Sequence, residues 1–450
     1  MTAIAENLVE FDPRPPEFSD IALADRFADR HAGDLRYVDA WGRWLRYDGR
    51  RWGQDQTRHA FDLARAVCQE AASECNEKRA ALKIASATTI AAVAKVAMAD
   101  RRIAAISEQW DADPWLLNTP GGVVDLRDSQ MRPHDADDYM TKITVAAPDA
   151  TEAPLWLGFL ERITAGDRQL QDFLRRLCGY ALTGETREHA LAFLYGTGAN
   201  GKSVFIETIN GIMGDYATNA PVETFTASKS DRHPTDLAML RGARLVTAVE
   251  TEEGRRWAEA KIKQLTGGDA ISARFMRQDF FTYKPQFTLI VCGNHKPGLR
   301  SVDEAIRRRL HLVPFSVTIP EDERDDQLPE KLKAEWPAIL SWMIEGAVEW
   351  GMEGLRPPES VIAATEDYLA SEDVFAAWLD ERCEEAGRES TSMLYHDWRE
   401  FASNAGEEAG TQKRFAEKLK DRGFEQYRTK EARGFIGIRL LPKGQPGDYG

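Results

Sequence analysis

No apolar run in this 450-residue sequence is long enough to cross a membrane. The longest, Thr89 to Ala99, is interrupted by Lys95, whereas a spanning helix needs ~20 apolar residues. The opening MTAIAENLVEFDPRPP carries neither a basic nor an apolar segment, so no secretory leader is expected there. Cysteine is sparse. Cys68, Cys75, Cys178, Cys292 and Cys383 form no C-x-x-C pair and have no histidine cluster beside them. That argues against a zinc site or a disulfide framework and for reduced cytoplasmic thiols. Positive charge is in deficit: 58 Lys and Arg against 73 Asp and Glu give a net charge of −15, which argues against an unselective polyanion binder. Two stretches break the pattern. Ile271–Phe315 holds eight basic residues against three acidic ones, and Thr411–Leu440 nine against four. Basic patches on an acidic body suit a nucleic-acid channel, and equally a pair of solvated faces.

What is present is a chain of ordinary globular composition, long enough for about three domains at ~150 residues each. Residues 1–19 are polar, with DPRPP at Asp12–Pro16, and suggest a tail. Residues 20–148 read as a mixed α+β region. It has a helical start, a hairpin in RYVDAWGRWLRYDGRRW turning at Asp48-Gly49, helical spacing over His59–Glu77 and Ser86–Ile106, and two strands flanking Pro120-Gly121-Gly122. Residues 149–185 are mostly helical, 186–320 carry the nucleotide motifs, and 321–371 form an acidic connector followed by helices broken at Gly354–Pro358. From 372 to 450 the pattern changes to short helices ending in RGFIGIRLL.

The chemistry centres on LAFLYGTGANGKSVF, Leu191–Phe205. Gly196, Gly201, Lys202 and Ser203 spell G-x-x-x-x-G-K-S between an apolar strand and a helical run. The glycines, with Gly198 and Asn200 between them, let backbone N–H groups wrap phosphates at a helix N-terminus. Lys202 should reach the β- and γ-phosphates of ATP, and Ser203 should ligate Mg²⁺. The strand in RLVTAVETEE ends at Glu250, where an acid completes the Mg²⁺ shell. Thr251 follows, so the usual acid pair is broken; Glu252 and Glu253 are the substitutes for activating water, and Glu252 is preferred. QFTLIVCGN puts Asn294 at the end of a third strand, where an amide senses the γ-phosphate without adding charge. DEAIRRRLHLVPF ends a short helix in Arg307, Arg308 and Arg309. At least one of them, with Arg308 and Arg309 preferred, suits a finger reaching a neighbouring subunit's phosphate; the alternative is a solvated helix end.

Loop, acidic strand, hairpin, asparagine strand and arginine helix in this order resemble the superfamily 3 helicases. GTGANGKS, ARLVTAVETEEG, KQLTGGDAISAR, CGNHKP and DEAIRRRLHLVPF, with LLNTPGGVVDLRD and FLRRLCGYALTGET upstream, are similar to the helicase half of the phage and plasmid primase–helicase family, which is related to the poxvirus primase–helicase. The resemblance implies an α/β fold: an AAA+-like P-loop ATPase core, an α+β N-terminal helicase-associated domain, a helical collar and a C-terminal winged-helix-like domain. It implies a homo-hexameric ring that hydrolyses ATP with Mg²⁺ between subunits and pulls single-stranded DNA 3′ to 5′ through its pore, opening a forked duplex. FMRQDFFTYK would be the pore hairpin, with Arg277 at the tip, Arg274 and Lys263 as further contacts, and Phe280 and Phe281 packed. RFAEKLKDRGF would be a recognition-type helix, with Lys413, Arg414 and Lys418 facing DNA. No primase motif fits ahead of the N-terminal region, so a separate primase or polymerase is expected as partner, in the cytoplasm of a bacterial host. The rival readings are a nucleotide-switched origin-binding scaffold and a ring ATPase that remodels protein or packages DNA.

Overall fold

The computed structural model describes residues 16–227, 235–250, 255–277, 279–299, 302–405, 409–429 and 433–441. At the N-terminal end, Ser19 caps the helix Asp20–His31 by accepting from Ala22 N at 3.2 Å. Leu23 and Phe27 of that helix bury against Val67 of His59–Glu74 and Val93 of Ala87–Ala97. The last helix stops well short of Ile106. Asp100 accepts from Arg102 N at 2.8 Å, a local side-chain bond that competes with helix continuation. The aromatic stretch forms a three-stranded antiparallel sheet, 35–38, 43–47 and 52–54, with Asp48-Gly49 in the second turn. The strands Leu116–Thr119 and Gly122–Asp125 pair as expected. Their side chains Leu117 and Val124 join the central core and not that of the N-terminal helices.

We number the central strands β1 (Leu191–Tyr195), β2 (Ala217–Asn219), β3 (Leu245–Glu250), β4 (Thr288–Gly293) and β5 (Leu310–Pro314). They form one parallel sheet in the order β5-β1-β4-β3-β2. A parallel sheet is covered on both faces, so its strands read as nearly unbroken apolar runs. Ala192, Leu194, Ile290 and Cys292 point to one buried cluster, and Leu191, Phe193, Leu289 and Val291 to the other. Because all strands run the same way, the ends of β1, β3 and β4 lie along one edge, where open α/β sheets place ligands. The arginine helix precedes β5 and enters from the opposite edge.

The helical segments on either side of the nucleotide motifs pack on each other. Arg168–Leu182 crosses Trp336–Glu353 with backbone in contact. A Cβ on Gly179 would lie 2.0 Å from Ala347 N, and one on Gly346 2.1 Å from Arg175 O. At the C-terminal end, helices Val374–Arg382, Thr391–Asn404 and Gln412–Asp421 enclose Phe375, Trp378, Trp398 and Phe415 with Phe435 of a three-stranded antiparallel sheet.

Candidate nucleotide site and nucleic-acid surfaces

The loop after β1 must turn sharply and run against neighbouring backbone, and its glycines are spaced for that. A Cβ at Gly196 would meet Phe315 O at 2.1 Å, and one at Gly201 would meet Ile163 Cγ2 at 2.4 Å. Gly201 also has φ +84°, in the left-handed region. Asn200 Nδ2 donates to Phe315 O at 3.2 Å, and Ile319 N to Ala199 O at 2.7 Å, so the chain leaving β5 pins the loop. Lys202 opens the helix Lys202–Met213 and is 7% exposed. Its ammonium donates to Gly196 O at 2.7 Å, Asn200 Oδ1 at 3.1 Å and Asn294 Oδ1 at 3.3 Å. Three uncharged acceptors match its three donors, yet burial still holds its pKa below the ordinary lysine value. A buried cation faced only by dipoles is suited to an anion. Ser203 beside it is exposed in the first turn of the helix.

Asn294 therefore meets the loop directly. Glu250 stands opposite Gly293 in the β3–β4 register, so β3 ends beside the residue preceding Asn294. Glu252 and Glu253 lie outside the described residues. A lysine the sequence reading passed over, Lys296, stands 4.2 Å above the Tyr195 ring at the same edge; its only signal was proximity to Asn294.

The three arginines part company. Asp303 caps Glu304–Arg307 by accepting from Ile306 N at 2.9 Å. Arg307 and Arg308 are exposed. Arg309 is 6% exposed and donates to Thr266 Oγ1 at 3.2 Å and Ala305 O at 2.8 Å within its own chain. Arg308 precedes β5 by two residues, and Leu310 pairs with Leu191 while Pro314 pairs with Tyr195. The length of β5, about 16 Å at ~3.3 Å per residue, separates Arg308 from the glycine loop of its own chain.

Ile271–Ala273 and Phe281–Tyr283 pair antiparallel, so the hairpin exists. Arg277 sits near its tip with φ +62° and is exposed. Phe281 packs on Phe275 at 5.7 Å and under the Arg241 guanidinium at 5.0 Å. Phe280 does not pack as expected: it is 58% exposed, with Arg274 4.7 Å over its ring. A two-stranded ribbon has no second layer, so alternation leaves one face open. Lys263 is engaged by the Asp303 carboxylate. On Gln412–Asp421, Lys413 and Arg414 are exposed, whereas Lys418 turns inward, 5.3 Å from the Phe375 ring and 5.5 Å from that of Trp398.

Comparison with known proteins bears on the family and the fold. Residues 24–165 match the family model "D5 N terminal like", and residues 194–309 match "Family of unknown function (DUF5906)". "Putative helicase L207/L206" of Acanthamoeba polyphaga mimivirus is 27% identical over 295 residues, covering 60% of this chain and 30% of that protein. "Putative helicase 022R" of Frog virus 3 (isolate Goorha) is 25% identical over 238 residues, covering 48% and 24%. The chain thus spans less than a third of the length of these curated relatives. Among solved structures, an apo form of the NrS-1 C-terminal region aligns over 93% of this chain and 99% of its own at a TM-score of 0.51; at 8% identity it speaks for the fold alone. Among the described residues no single helix is long and apolar enough to cross a membrane. The two family models in tandem and the viral relatives named as putative helicases support a superfamily 3 helicase-like protein of the phage and viral kind.

Proposed function

We propose that the chain hydrolyses ATP with Mg²⁺ and, as a ring of identical subunits, moves along single-stranded DNA to open a forked duplex. The observation that carries this reading is the meeting of Lys202 with Gly196 O and Asn294 Oδ1 at the strand-ending edge of the sheet. A loop that leaves no room for a Cβ at Gly196 or Gly201 fits a phosphate cradle, and the buried ammonium fits the β- and γ-phosphates. In this reading the backbone of Gly196, Gly198, Asn200 and Gly201 wraps the phosphates. Ser203 and Glu250 hold Mg²⁺, Glu252 activates water, and Asn294 senses the γ-phosphate. Arg308 is the arginine that acts in trans, while Arg309 is engaged by Thr266 and Ala305 inside its own chain.

The exposed tip of Arg277 and Phe280, with Arg274 over the Phe280 ring, supports a hairpin that grips phosphate and stacks on bases. Lys413 and Arg414 are the contacts proposed for the C-terminal unit, read as a winged helix. Movement 3′ to 5′, a hexamer, a separate primase or polymerase as partner, and replication of a phage, plasmid or integrated element in bacterial cytoplasm complete the proposal. Strand displacement on forked substrates with single-stranded arms of either polarity tests it. Unwinding that needs ATP and is absent in Lys202→Ala is expected; hydrolysis indifferent to DNA, with no unwinding, overturns it.

A further inference from the structure

A cavity of about 510 Å³ opens directly beside the glycine loop, within the ~300–1,000 Å³ range of small-molecule sites. One wall is the loop and its helix, through Ala199, Gly201 and Val204. The second is the helix Pro154–Ile163, and the third is the strap from Ile319 to Pro329. On the second wall, Leu155, Gly158, Phe159 and Arg162 fall at i, i+3, i+4 and i+7, a single stripe facing the cavity. A glycine there is a cost to the helix, because glycine is a poor interior residue. Nothing lies within 4 Å of where its Cβ would be, so packing does not demand it. What Gly158 does is leave the cavity open. Above the stripe, Arg162 pairs with Glu323 and ties the helix to the strap.

We propose that Gly158 is a specificity-determining position, leaving the space into which the nucleoside end of a triphosphate fits while its phosphates lie on the glycine loop. The proposal rests on the reading of that loop as a phosphate cradle. The strap end of the cavity carries both signs of charge, Glu323, Asp325 and Asp326 with Arg324 and with Arg162, which pairs with Glu323, while Lys202 opens the helix that follows the glycine loop. Carboxylate oxygens there accept from sugar hydroxyls or an exocyclic amine. The apolar sides of Leu155, Phe159, Ile319 and Leu328 suit the faces of a base.

Calorimetric titration of the full chain with ATP and with inorganic tripolyphosphate, both with Mg²⁺ withheld so that hydrolysis adds no heat, tests this. In the wild type ATP is expected to bind about tenfold or more tighter than tripolyphosphate. Gly158→Trp, which fills the cavity, is expected to remove that advantage and leave tripolyphosphate affinity unchanged. A folded Gly158→Trp protein that binds ATP as the wild type does overturns the proposal. Should that variant not fold, the wild type alone decides: equal affinities for the two ligands overturn it, and a clear preference for ATP supports it. Failure of the phosphate-cradle reading looks different, because tripolyphosphate then does not bind to the wild type at all, and the proposal falls with its premise.

Discussion

A methyl group added at Gly158 and one added at Gly196 act in opposite directions. At Gly158 it meets nothing within 4 Å and replaces a poor helix residue. Gly158→Ala is therefore expected to raise stability by roughly 0.5–1 kcal/mol. At Gly196 the same methyl lands 2.1 Å from the Phe315 carbonyl oxygen, a backbone atom that cannot swing away. Gly196→Ala is expected to lower stability by roughly 1–3 kcal/mol and to abolish nucleotide binding; denaturant unfolding and ATP titration of the two variants check both signs. His311 on β5 gives a pH dependence. Burial beside the Phe173 ring lowers its pKa from 6.5 to about 4. Below about 6.5 the unfolded chain takes up a proton that the folded chain refuses until about pH 4. Stability is thus complete above the upper value and falls through that window by up to about 3 kcal/mol. His311→Leu should flatten this part of a plot of thermal midpoint against pH, and an unchanged slope would assign the loss to other groups.

At the scale of elements, the sequence disclosed what local pattern controls. LAFLY, LVTAV and TLIVCG were legible as buried strands because a doubly covered strand is apolar throughout. The helices 154–182 and 336–372 were legible from their spacing. What stayed hidden depends on partners far along the chain. Nothing near Lys263 announces the Asp303 carboxylate forty positions away, and nothing near Lys418 announces the rings of Phe375 and Trp398. For Lys418, counted within Thr411–Leu440, charge counting therefore overstated the basic surface. Nor could the run of three arginines say which one turns inward; that follows from Thr266 and Ala305 lying where Arg309 ends. The same logic sorts the hairpin. Arg277 and the 58% exposed Phe280 are the side chains free to meet a strand, while Phe281 holds the ribbon to its neighbours. Arg277→Ala and Phe280→Ala are expected to leave basal ATP hydrolysis intact and to reduce its stimulation by single-stranded DNA about tenfold, equivalent to ~1–3 kcal/mol of lost stacking per base. Lys263→Ala, which breaks a half-exposed ion pair, should cost no more than about 1 kcal/mol of stability and leave that stimulation unchanged. Hydrolysis measured across a DNA titration separates these outcomes.

At the scale of the whole molecule, the parallel sheet makes a statement about assembly. Its strand-ending edge holds Lys202, Asn294 and the end of β3, while Arg307 and Arg308 are exposed near the strand-starting edge. With β5 holding about 16 Å between them, one subunit cannot bring its own Arg308 to its own glycine loop without dismantling the sheet. If Arg308 touches a phosphate, the phosphate belongs to another subunit, and the arginine contributes only where two chains meet. Two variants can then be combined. Lys202→Ala retains Arg308 and loses the loop, and Arg308→Ala retains the loop and loses the arginine. Each is expected to be inactive in hydrolysis by itself. Mixed together, they create interfaces at which the intact loop of one chain faces the intact arginine of the next, so hydrolysis should rise above that of either parent and rise further with DNA present. An arginine working within its own chain permits no such recovery, because no chain in the mixture carries both groups, and the mixture would then stay at the level of its parents.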